Sequence, residues 1–242
     1  NDDRLERAER SGLEVLMVTV DVPARGWRPR DMYNGLSLPP RVTSASLYHA
    51  ACRPRWSLAT LASGIPHFKT MGRYSKDKSF RAMADFIRQE LGRPVTRERL
   101  KHIRKKWKGP LVIKGIMHPA DAEAAVEMGY DGILVSNHGG RQLDACLSPV
   151  EVLADIITQV DGRATIMVDS GFSNGLDIAR GIALGADFVF CGRAFMWGVS
   201  VLGQKGPEHV INLLSNELRL ALTQIGCPSV NELNTSWLDA KA

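Results

Sequence analysis

The sequence predicts an α/β fold of consecutive strand–helix units, and within that class the C-terminal part of a (β/α)8 barrel, about five of its eight units. Three observations predict this fold. Five continuous apolar runs are spaced along the chain, helical patterns lie between them, and polar residues follow the end of each run. A continuous apolar run is typical of a strand that is covered on both faces of a parallel sheet.

The five predicted strands are rich in Val, Ile and Leu, and the last four follow one another about 20–35 residues apart. They are Leu13–Val20, Pro110–Ile113, Gly132–Val135, Ala164–Val168 and Ala186–Phe190. Right-handed crossovers between parallel strands leave either a barrel or a doubly wound sheet.

Helical patterns with start and stop signals lie between these strands. The segment 119–129 opens on a proline and closes on a glycine, and 148–160 opens on Ser148 as N-cap with Pro149 in the first turn. Further helices are predicted at 79–91, at 96–107, at 174–186 and from about Pro207 to Ile225.

Polar residues at the carboxyl ends of the strands favour the barrel. In a (β/α)8 barrel these ends meet at one mouth, where residues from several strands can act on one ligand. A doubly wound sheet usually has a glycine-rich first turn, and no G-x-G-x-x-G follows a strand here. The strand-end residues are Thr19, Asp21, Lys114, Ser136, His138, Asp169, Gly192 and Arg193.

The predicted organisation is a single barrel domain over 1–242 that is truncated at its N-terminus. Five strands do not close an eight-stranded barrel, and the sequence begins almost at once with the helix-like DDRLERAERSG. A different, open sheet is the alternative. About 90 residues separate Asp21 from Lys114, which is too long for a plain βα loop. The segment 22–95 is therefore predicted to be a long excursion within the domain, close to the active site or to a membrane surface.

Basic charge is concentrated in this part of the chain. Between Pro40 and Lys108, 17 Lys and Arg residues stand against 4 Asp and Glu residues, whereas the whole chain has a net charge of +5. The segment fits a solvated surface without a partner, an anionic membrane surface or a nucleic acid. No nucleic-acid-binding module is recognisable, so we expect no nucleic-acid partner. At a membrane, four apolar side chains would insert shallowly: Trp56, Leu61, Ile65 and Phe68.

Composition argues against several other classes of protein. No apolar run approaches the roughly 20 residues needed to cross a bilayer. The four cysteines form no C-x-x-C pair, which suits reduced thiols in the cytosol, and no cysteine and histidine cluster has metal-ligand spacing. We therefore expect no metal site.

Five motifs at the strand ends occur in one order: VTVD (18–21), VIKG (112–115), SNHGGRQLD (136–144), VDSGF (168–172) and CGR (191–193). In this order and spacing the chain resembles the FMN-dependent α-hydroxy-acid dehydrogenases and oxidases, the group of glycolate oxidase, L-lactate dehydrogenase and mandelate dehydrogenase. The resemblance runs along the whole chain and covers about the last five-eighths of that barrel. The stretches RPRWSL (53–58) and SGIPHF (63–68) resemble the dehydrogenase members more than the plant-type oxidases.

The resemblance implies FMN-dependent oxidation of a small L-2-hydroxy acid, of the lactate, mandelate or glycolate type, to the 2-keto acid. His138 is the implied base because imidazole titrates near neutral pH, and Asp21 would hold its ring and stabilise the imidazolium. Arg141 and Arg28 would bind the substrate carboxylate, since a guanidinium offers a planar pair of donors and stays charged.

The implied cofactor is FMN. Lys114 would lie at the N1/C2-carbonyl side of the flavin ring, where an ammonium favours the reduced state. Asp169 would bind the ribityl hydroxyls. The other implied contacts are Thr19 and Ser136 at the flavin edge and, towards the phosphate, Gly171, Ser173, Gly192 and Arg193.

One departure from the family pattern affects the phosphate. Two consecutive arginines usually occupy the positions that read Ser173 and Asn174 here. Both residues can donate hydrogen bonds, but neither carries a charge. We therefore predict weaker retention of FMN than in typical relatives, unless Arg193 compensates.

The resemblance further implies a homo-oligomer, with a quinone or another respiratory-chain component as electron acceptor in its membrane-associated members. The implied location is cytoplasmic, either free or peripheral at the inner face of the cytoplasmic membrane. A different class stays open: a catalytically incomplete barrel fragment that only binds phosphate ligands or needs an N-terminal complement.

Overall fold

The computed structural model describes residues 2–24, 26, 28–35, 42–64, 72, 82–84, 86–87 and 94–238. The chain divides into two compact units, one formed by residues 1–21 together with 95–242 and the other by residues 22–94. The organisation as one domain over 1–242, with an excursion at 22–95, stays a prediction.

A five-stranded parallel sheet forms the centre of the first unit. Its strands are β1 (Leu16–Thr19), β2 (Leu111–Ile116), β3 (Gly132–Val135), β4 (Thr165–Val168) and β5 (Phe188–Val189). They lie side by side in chain order, and every described pairing is parallel. A doubly wound sheet reverses its strand order at a switch point. The described sheet has no such reversal, so the doubly wound alternative is wrong.

The helices of the described residues are α1 (Asp2–Arg10), α2 (Pro29–Tyr33), α3 (Ser44–Ala51), α4 (Pro54–Ser63), α5 (Arg97–Lys106), α6 (Pro119–Glu127), α7 (Pro149–Val160), α8 (Gly175–Ala183), α9 (Arg193–Leu202) and α10 (Gly206–Ile225). The five helices predicted from 96 onwards are confirmed as α5 to α8 and α10. At the start of α5, Thr96 accepts from the Arg99 amide, and at the start of α7, Glu151 accepts from the Ser148 amide at 2.7 Å.

Two helical predictions have other outcomes. The helix predicted at 79–91 falls mostly outside the described residues. Helix α9 was not predicted, because its sequence RAFMWGVSVL has no side-chain cap and its Val and aromatic residues are typical of strands. The segment after β5 therefore contains two helices where one was expected.

The core of the first unit lies on both faces of the sheet. Alternate strand residues point to opposite faces. One face joins the buried residues of α6 and α7 in a single cluster that includes Ile113, Ile133 and Ile166. The other face carries a separate, smaller cluster formed by Val112, Leu134 and Met167. The interior of a barrel is likewise filled by side chains of its strands.

The described part of the second unit is helical and largely exposed. Thr43 and Ser46 cap α3 reciprocally, each amide donating to the other's side-chain oxygen at 2.8 and 3.1 Å. Trp56 and Leu61, two of the four side chains predicted to insert into a membrane, are 60% and 77% exposed. The other two, Ile65 and Phe68, lie outside the described residues. Within the described ranges, no helix combines the length and the apolar character required to traverse a bilayer.

Candidate active site

Polar side chains from four consecutive strand ends meet at one edge of the sheet in the first unit. Asp21 follows β1, Lys114 lies in β2, His138 follows β3 and Asp169 follows β4. Since parallel strands present their carboxyl ends at the same edge, this order brings the four side chains together.

Asp21 and His138 form a direct pair at this edge. The Nδ1 atom of His138 lies 3.2 and 3.1 Å from the two carboxylate oxygens of Asp21. An ionised carboxylate only accepts hydrogen bonds, so Nδ1 carries the proton and donates it to Asp21. The Nε2 atom of the neutral ring then has a free lone pair, and the ring, at 31% exposure, is accessible. The pair can act as a positioned base.

Lys114 forms a second, adjoining cluster. Its ammonium donates to the Ser136 hydroxyl at 2.6 Å and forms an ion pair with Asp169. Ser136 is completely buried, while the side chains of Lys114 and Asp169 are 16% and 20% exposed. A cation held between two strand ends in a partly buried place acts more strongly on a nearby ligand than one in bulk water.

The loop after β3 holds three successive residues in the left-handed region, with φ of 59° at His138, 68° at Gly139 and 72° at Gly140. Positive φ is uncommon for a residue other than glycine. Each of the three amides donates to a side-chain oxygen, those of Ser136 (3.2 Å), Ser170 (2.9 Å) and Asn137 (3.2 Å). These bonds link the loop to the ends of β3 and β4.

Gly115 provides the space in which Asp21 lies. The register of β2 shifts between Lys114 and Ile116, and Gly115 at this point has φ of 101°. A Cβ atom on Gly115 would lie 2.5 Å from the Cβ and 2.6 Å from the Cγ of Asp21. Any side chain here would therefore displace the carboxylate that holds His138. Gly115 is the last residue of the VIKG motif, and no role was predicted for it.

We expect Gly115→Ala to destabilise the protein and to break the pair between Asp21 and His138. The positive φ alone costs about 1–2 kcal/mol for a residue with a Cβ, and the contact with Asp21 adds to this. Gly162→Ala is the matched control, because Gly162 has φ of 70° and no atom within 4 Å of the added Cβ. Urea unfolding gives the stability, and the NMR signal of the His138 Nδ1 proton reports the pair. If both variants lose the same stability and keep that signal, Gly115 does not position Asp21.

The carboxyl end of β5 leads into a basic helix start at Gly192 and Arg193. No side chain of the described residues caps α9, so its first amides can donate to an anion. The guanidinium of Arg193 lies beside the loop after β3, since a Cβ on Gly139 would be 3.3 Å from its Nη2 atom. Burial, and to a lesser extent the Asp177 carboxylate, raises the pKa of the Cys191 thiol, which is therefore neutral at pH 7.

The start of α8 is already satisfied by residues of the chain itself. Ser173 donates its amide and its hydroxyl to one Asp177 oxygen, at 3.0 and 3.2 Å. Asn174 caps the helix by accepting from the Asp177 amide at 2.8 Å, and the Gly175 amide donates to Glu217 at 2.9 Å. Two carboxylates therefore lie at this helix start, and Ser173 is already hydrogen-bonded to one of them, that of Asp177.

The other predicted site residues have different positions. Thr19 is paired with Lys114 in the sheet register, and Gly171 is exposed two residues after Asp169. Arg141 is exposed at the end of the loop after β3. Arg28 belongs to the second unit, where it lies 3.9 Å from Asp31. Ser170 was not among the predicted site residues, but its hydroxyl donates to Asp169 and accepts from the Gly139 amide.

The donor set at this edge fits a flavin that carries a phosphate. An ammonium and hydroxyls at the ends of β2 and β3 suit the polar edge of a flavin ring, and an uncapped helix start with a guanidinium suits the phosphate. Gly171 and Gly192 leave open space, since an added Cβ would meet no atom within 4 Å at either position. The described residues contain no group of three His, Cys, Asp or Glu side chains that could hold a metal ion.

Comparisons with known proteins find curated relatives of the chain. The L-lactate dehydrogenases of Pectobacterium atrosepticum and Allorhizobium ampelinum are 39% and 40% identical to the chain over 238 residues, which is 97% of it. The chain spans 61% and 62% of the length of these two relatives.

Two solved structures are also similar to the chain. The structure of a monotopic membrane protein, (S)-mandelate dehydrogenase, superposes with a TM-score of 0.92 at 33% identity, over 98% of this chain and 62% of that one. A mandelate oxidase superposes with a TM-score of 0.70 at 34% identity, over 95% and 56% of the two chains. The predicted TIM-barrel fold is confirmed.

The model of one protein family, described as FMN-dependent dehydrogenase, matches residues 1–240. The family and the cofactor that the strand-end motifs predicted are thereby confirmed. The chain belongs to the FMN-dependent dehydrogenase family.

Proposed function

We propose that the protein oxidises a small L-2-hydroxy acid to the 2-keto acid with FMN. The observation that carries this proposal is the edge at which the Asp21–His138 pair adjoins the cluster of Lys114, Ser136 and Asp169. A base held by a carboxylate beside a fixed cation is what proton removal from a hydroxy acid next to a flavin requires.

His138 accepts the proton of the substrate, from the α-carbon or the hydroxyl, at Nε2. Asp21 keeps Nδ1 protonated and stabilises the imidazolium that forms, as the carboxylate does in a Ser-His-Asp triad. FMN, when bound, supplies the acceptor for the two electrons that leave the substrate.

Arg141 and Arg28 bind the substrate carboxylate in this proposal. Arg141 follows His138 by three residues in the chain and is exposed at the end of the loop after β3. Arg28 contributes from the segment between β1 and β2, and a guanidinium pair matches both oxygens of a carboxylate.

FMN would be held along the strand ends. Lys114 places a positive charge beside the flavin ring, with Thr19 and Ser136 at its polar edge and Asp169 towards the ribityl chain. The phosphate would lie near Gly171, Gly192 and Arg193. Ser173 contributes less than an arginine would, because it is uncharged and donates to Asp177, which supports the prediction of weak FMN retention.

The substrate class follows from the relatives and is proposed for this chain as lactate, mandelate or glycolate type. Two of the relatives are named L-lactate dehydrogenase, and the two solved structures are named mandelate dehydrogenase and mandelate oxidase. These names support an L-2-hydroxy acid and leave the side chain of the substrate to experiment.

Anaerobic reduction of the FMN-loaded full chain tests the proposal. We expect L-lactate, (S)-mandelate or glycolate to bleach the visible flavin band, and D-lactate to leave it unchanged. The FMN titration used for loading also gives the dissociation constant, which should exceed that of an arginine-bearing relative. Bound FMN that no L-2-hydroxy acid reduces, and that inorganic phosphate displaces, would instead support the incomplete barrel fragment.

We also propose that the second unit attaches the protein peripherally to the inner face of the cytoplasmic membrane. The protein would then pass its electrons to a quinone or another respiratory-chain acceptor. The excess of basic residues between Pro40 and Lys108 and the exposed Trp56 and Leu61 support attachment to anionic lipid. The likeness to a mandelate dehydrogenase that is described as a monotopic membrane protein also supports it. Assembly as a homo-oligomer stays a prediction.

We expect the double variant Trp56→Ser with Leu61→Ser to bind anionic vesicles roughly tenfold more weakly, since insertion of these side chains buries apolar surface. Trp197→Ser with Val201→Ser is the matched control, because these side chains of α9 are 62% and 80% exposed. Sedimentation with vesicles that contain or lack anionic lipid measures the binding. Equal losses in both double variants, or no binding by the wild type, would contradict attachment through Trp56 and Leu61.

A further inference from the structure

Ser170 joins the two halves of the candidate active site. Its hydroxyl donates to Asp169 Oδ1 at 2.7 Å and accepts from the Gly139 amide at 2.9 Å. The other oxygen of Asp169 binds Lys114, and Gly139 directly follows His138 in the chain. The hydroxyl therefore connects the cation on β2 with the loop that carries the base.

The backbone of Ser170 is as unusual as that of His138. Among the described residues, positive φ occurs outside glycine at His138 (59°), Asp161 (48°) and Ser170 (74°). Asp161 has an ordinary explanation, because it ends α7 in the left-handed conformation. Backbone outliers that cluster at a site indicate a local conformation that the surrounding contacts enforce for function.

The bonds of Ser136 and Ser170 account for the conformation of the loop. Ser136 accepts from the His138 amide at 3.2 Å, and Ser170 accepts from the next amide, that of Gly139. Two consecutive amides are thereby fixed by hydroxyls from two different strand ends. Because His138 lies between these two anchoring points, its φ and the direction of its ring are set by them.

We infer that Ser170 is a positioning residue for His138: its hydroxyl holds the loop after β3 so that the ring meets Asp21 and presents Nε2 to the substrate. This inference rests on the proposed function. A base displaced by about 1 Å loses roughly a hundredfold in rate, so the hydroxyl affects turnover without touching the substrate. Arg141, which binds the substrate carboxylate in the proposed function, follows further along the same loop, beyond the separate bond from the Gly140 amide to Asn137, so KM should change much less than kcat.

Ser170→Gly separates the hydroxyl from the backbone conformation. Glycine adopts φ of 74° without strain, so relief of the strain offsets part of the two lost hydrogen bonds, and this variant should fold while lacking the hydroxyl. Ser170→Ala lacks the hydroxyl and keeps the strain. Ser200→Ala is the matched control, because the Ser200 hydroxyl donates within its own helix, to Met196 O at 2.7 Å.

In the FMN-loaded full chain, we expect both Ser170 variants to lower kcat about 10- to 100-fold with KM changed by less than about twofold, and Ser200→Ala to change neither. Hydrogen exchange of the Gly139 amide should accelerate about tenfold or more in both Ser170 variants. If Ser170→Gly keeps both the wild-type kcat and the slow exchange of Gly139, the inference is overturned.

The two readouts keep this inference apart from the proposed function. Exchange at Gly139 needs no substrate and reports the loop directly. A wild-type chain that oxidises no hydroxy acid would refute the proposed function, while faster exchange at Gly139 in the Ser170 variants would still establish that Ser170 positions the loop.

Discussion

His138→Gln is expected to lower the rate of flavin reduction by a 2-hydroxy acid about 100- to 10,000-fold, the range that a positioned general base contributes. Glutamine can still donate to Asp21 through its amide, so the carboxylate keeps a partner and the fold is preserved. The side-chain amide has no basic nitrogen, however, and cannot accept the proton of the substrate. Stopped-flow reduction under nitrogen measures the rate, and the flavin band confirms that FMN is retained.

His209→Gln is the control for this variant, because His209 is exposed on α10 and belongs to none of the strand ends. It should leave the rate unchanged. A fall of less than about fivefold in His138→Gln, with FMN bound, would rule out His138 as the base, since even a modest general base contributes about 100-fold.

Lys114→Met is expected to lower the rate of flavin reduction about 100- to 1,000-fold, the loss that follows removal of one preorganised donor from a developing negative charge. Methionine keeps the apolar stem but removes the ammonium that lies between Ser136 and Asp169. The reduced flavin is then less stabilised, so its midpoint potential should also become more negative. Spectroelectrochemical titration of the loaded protein measures the potential.

Asp169 complicates this variant, because its carboxylate loses its cationic partner when Lys114 is removed. The double variant Lys114→Met with Asp169→Asn restores neutrality in the cluster and should recover thermal stability, but not the potential. Lys108→Met is the surface control, since the Lys108 ammonium is exposed and donates to the backbone oxygen of Lys105. An unchanged potential in Lys114→Met would exclude Lys114 as the cation beside the flavin.

Much of the site could be predicted because its residues follow apolar runs. Asp21, Lys114, His138 and Asp169 each stand at or just after the end of a strand, and a parallel sheet places such ends at one edge. The pairs were only partly predictable. The contact of Asp21 with His138 was implied by the resemblance, whereas the ion pair between Lys114 and Asp169 depends on strand register, which the sequence does not state.

Ser170 and Gly115 could not be assigned from the sequence for a physical reason. The role of Ser170 depends on a positive φ and on an amide from another strand end, and nothing in the letters DSG indicates that a serine adopts this conformation. Gly115 was visible as a glycine inside a strand pattern, a common signal for a bulge or a close approach. Only the structure identifies Asp21 as the group that approaches it.

The closed start of α8 limits how stronger phosphate binding could be built into this protein. An arginine introduced at position 173 would stand beside Asp177, which now accepts from both polar groups of Ser173. An ion pair with Asp177 would take up part of the new positive charge before it reached a ligand. Stronger binding therefore needs two changes together, the arginine and the loss of the Asp177 carboxylate, and the second change alone weakens the helix start.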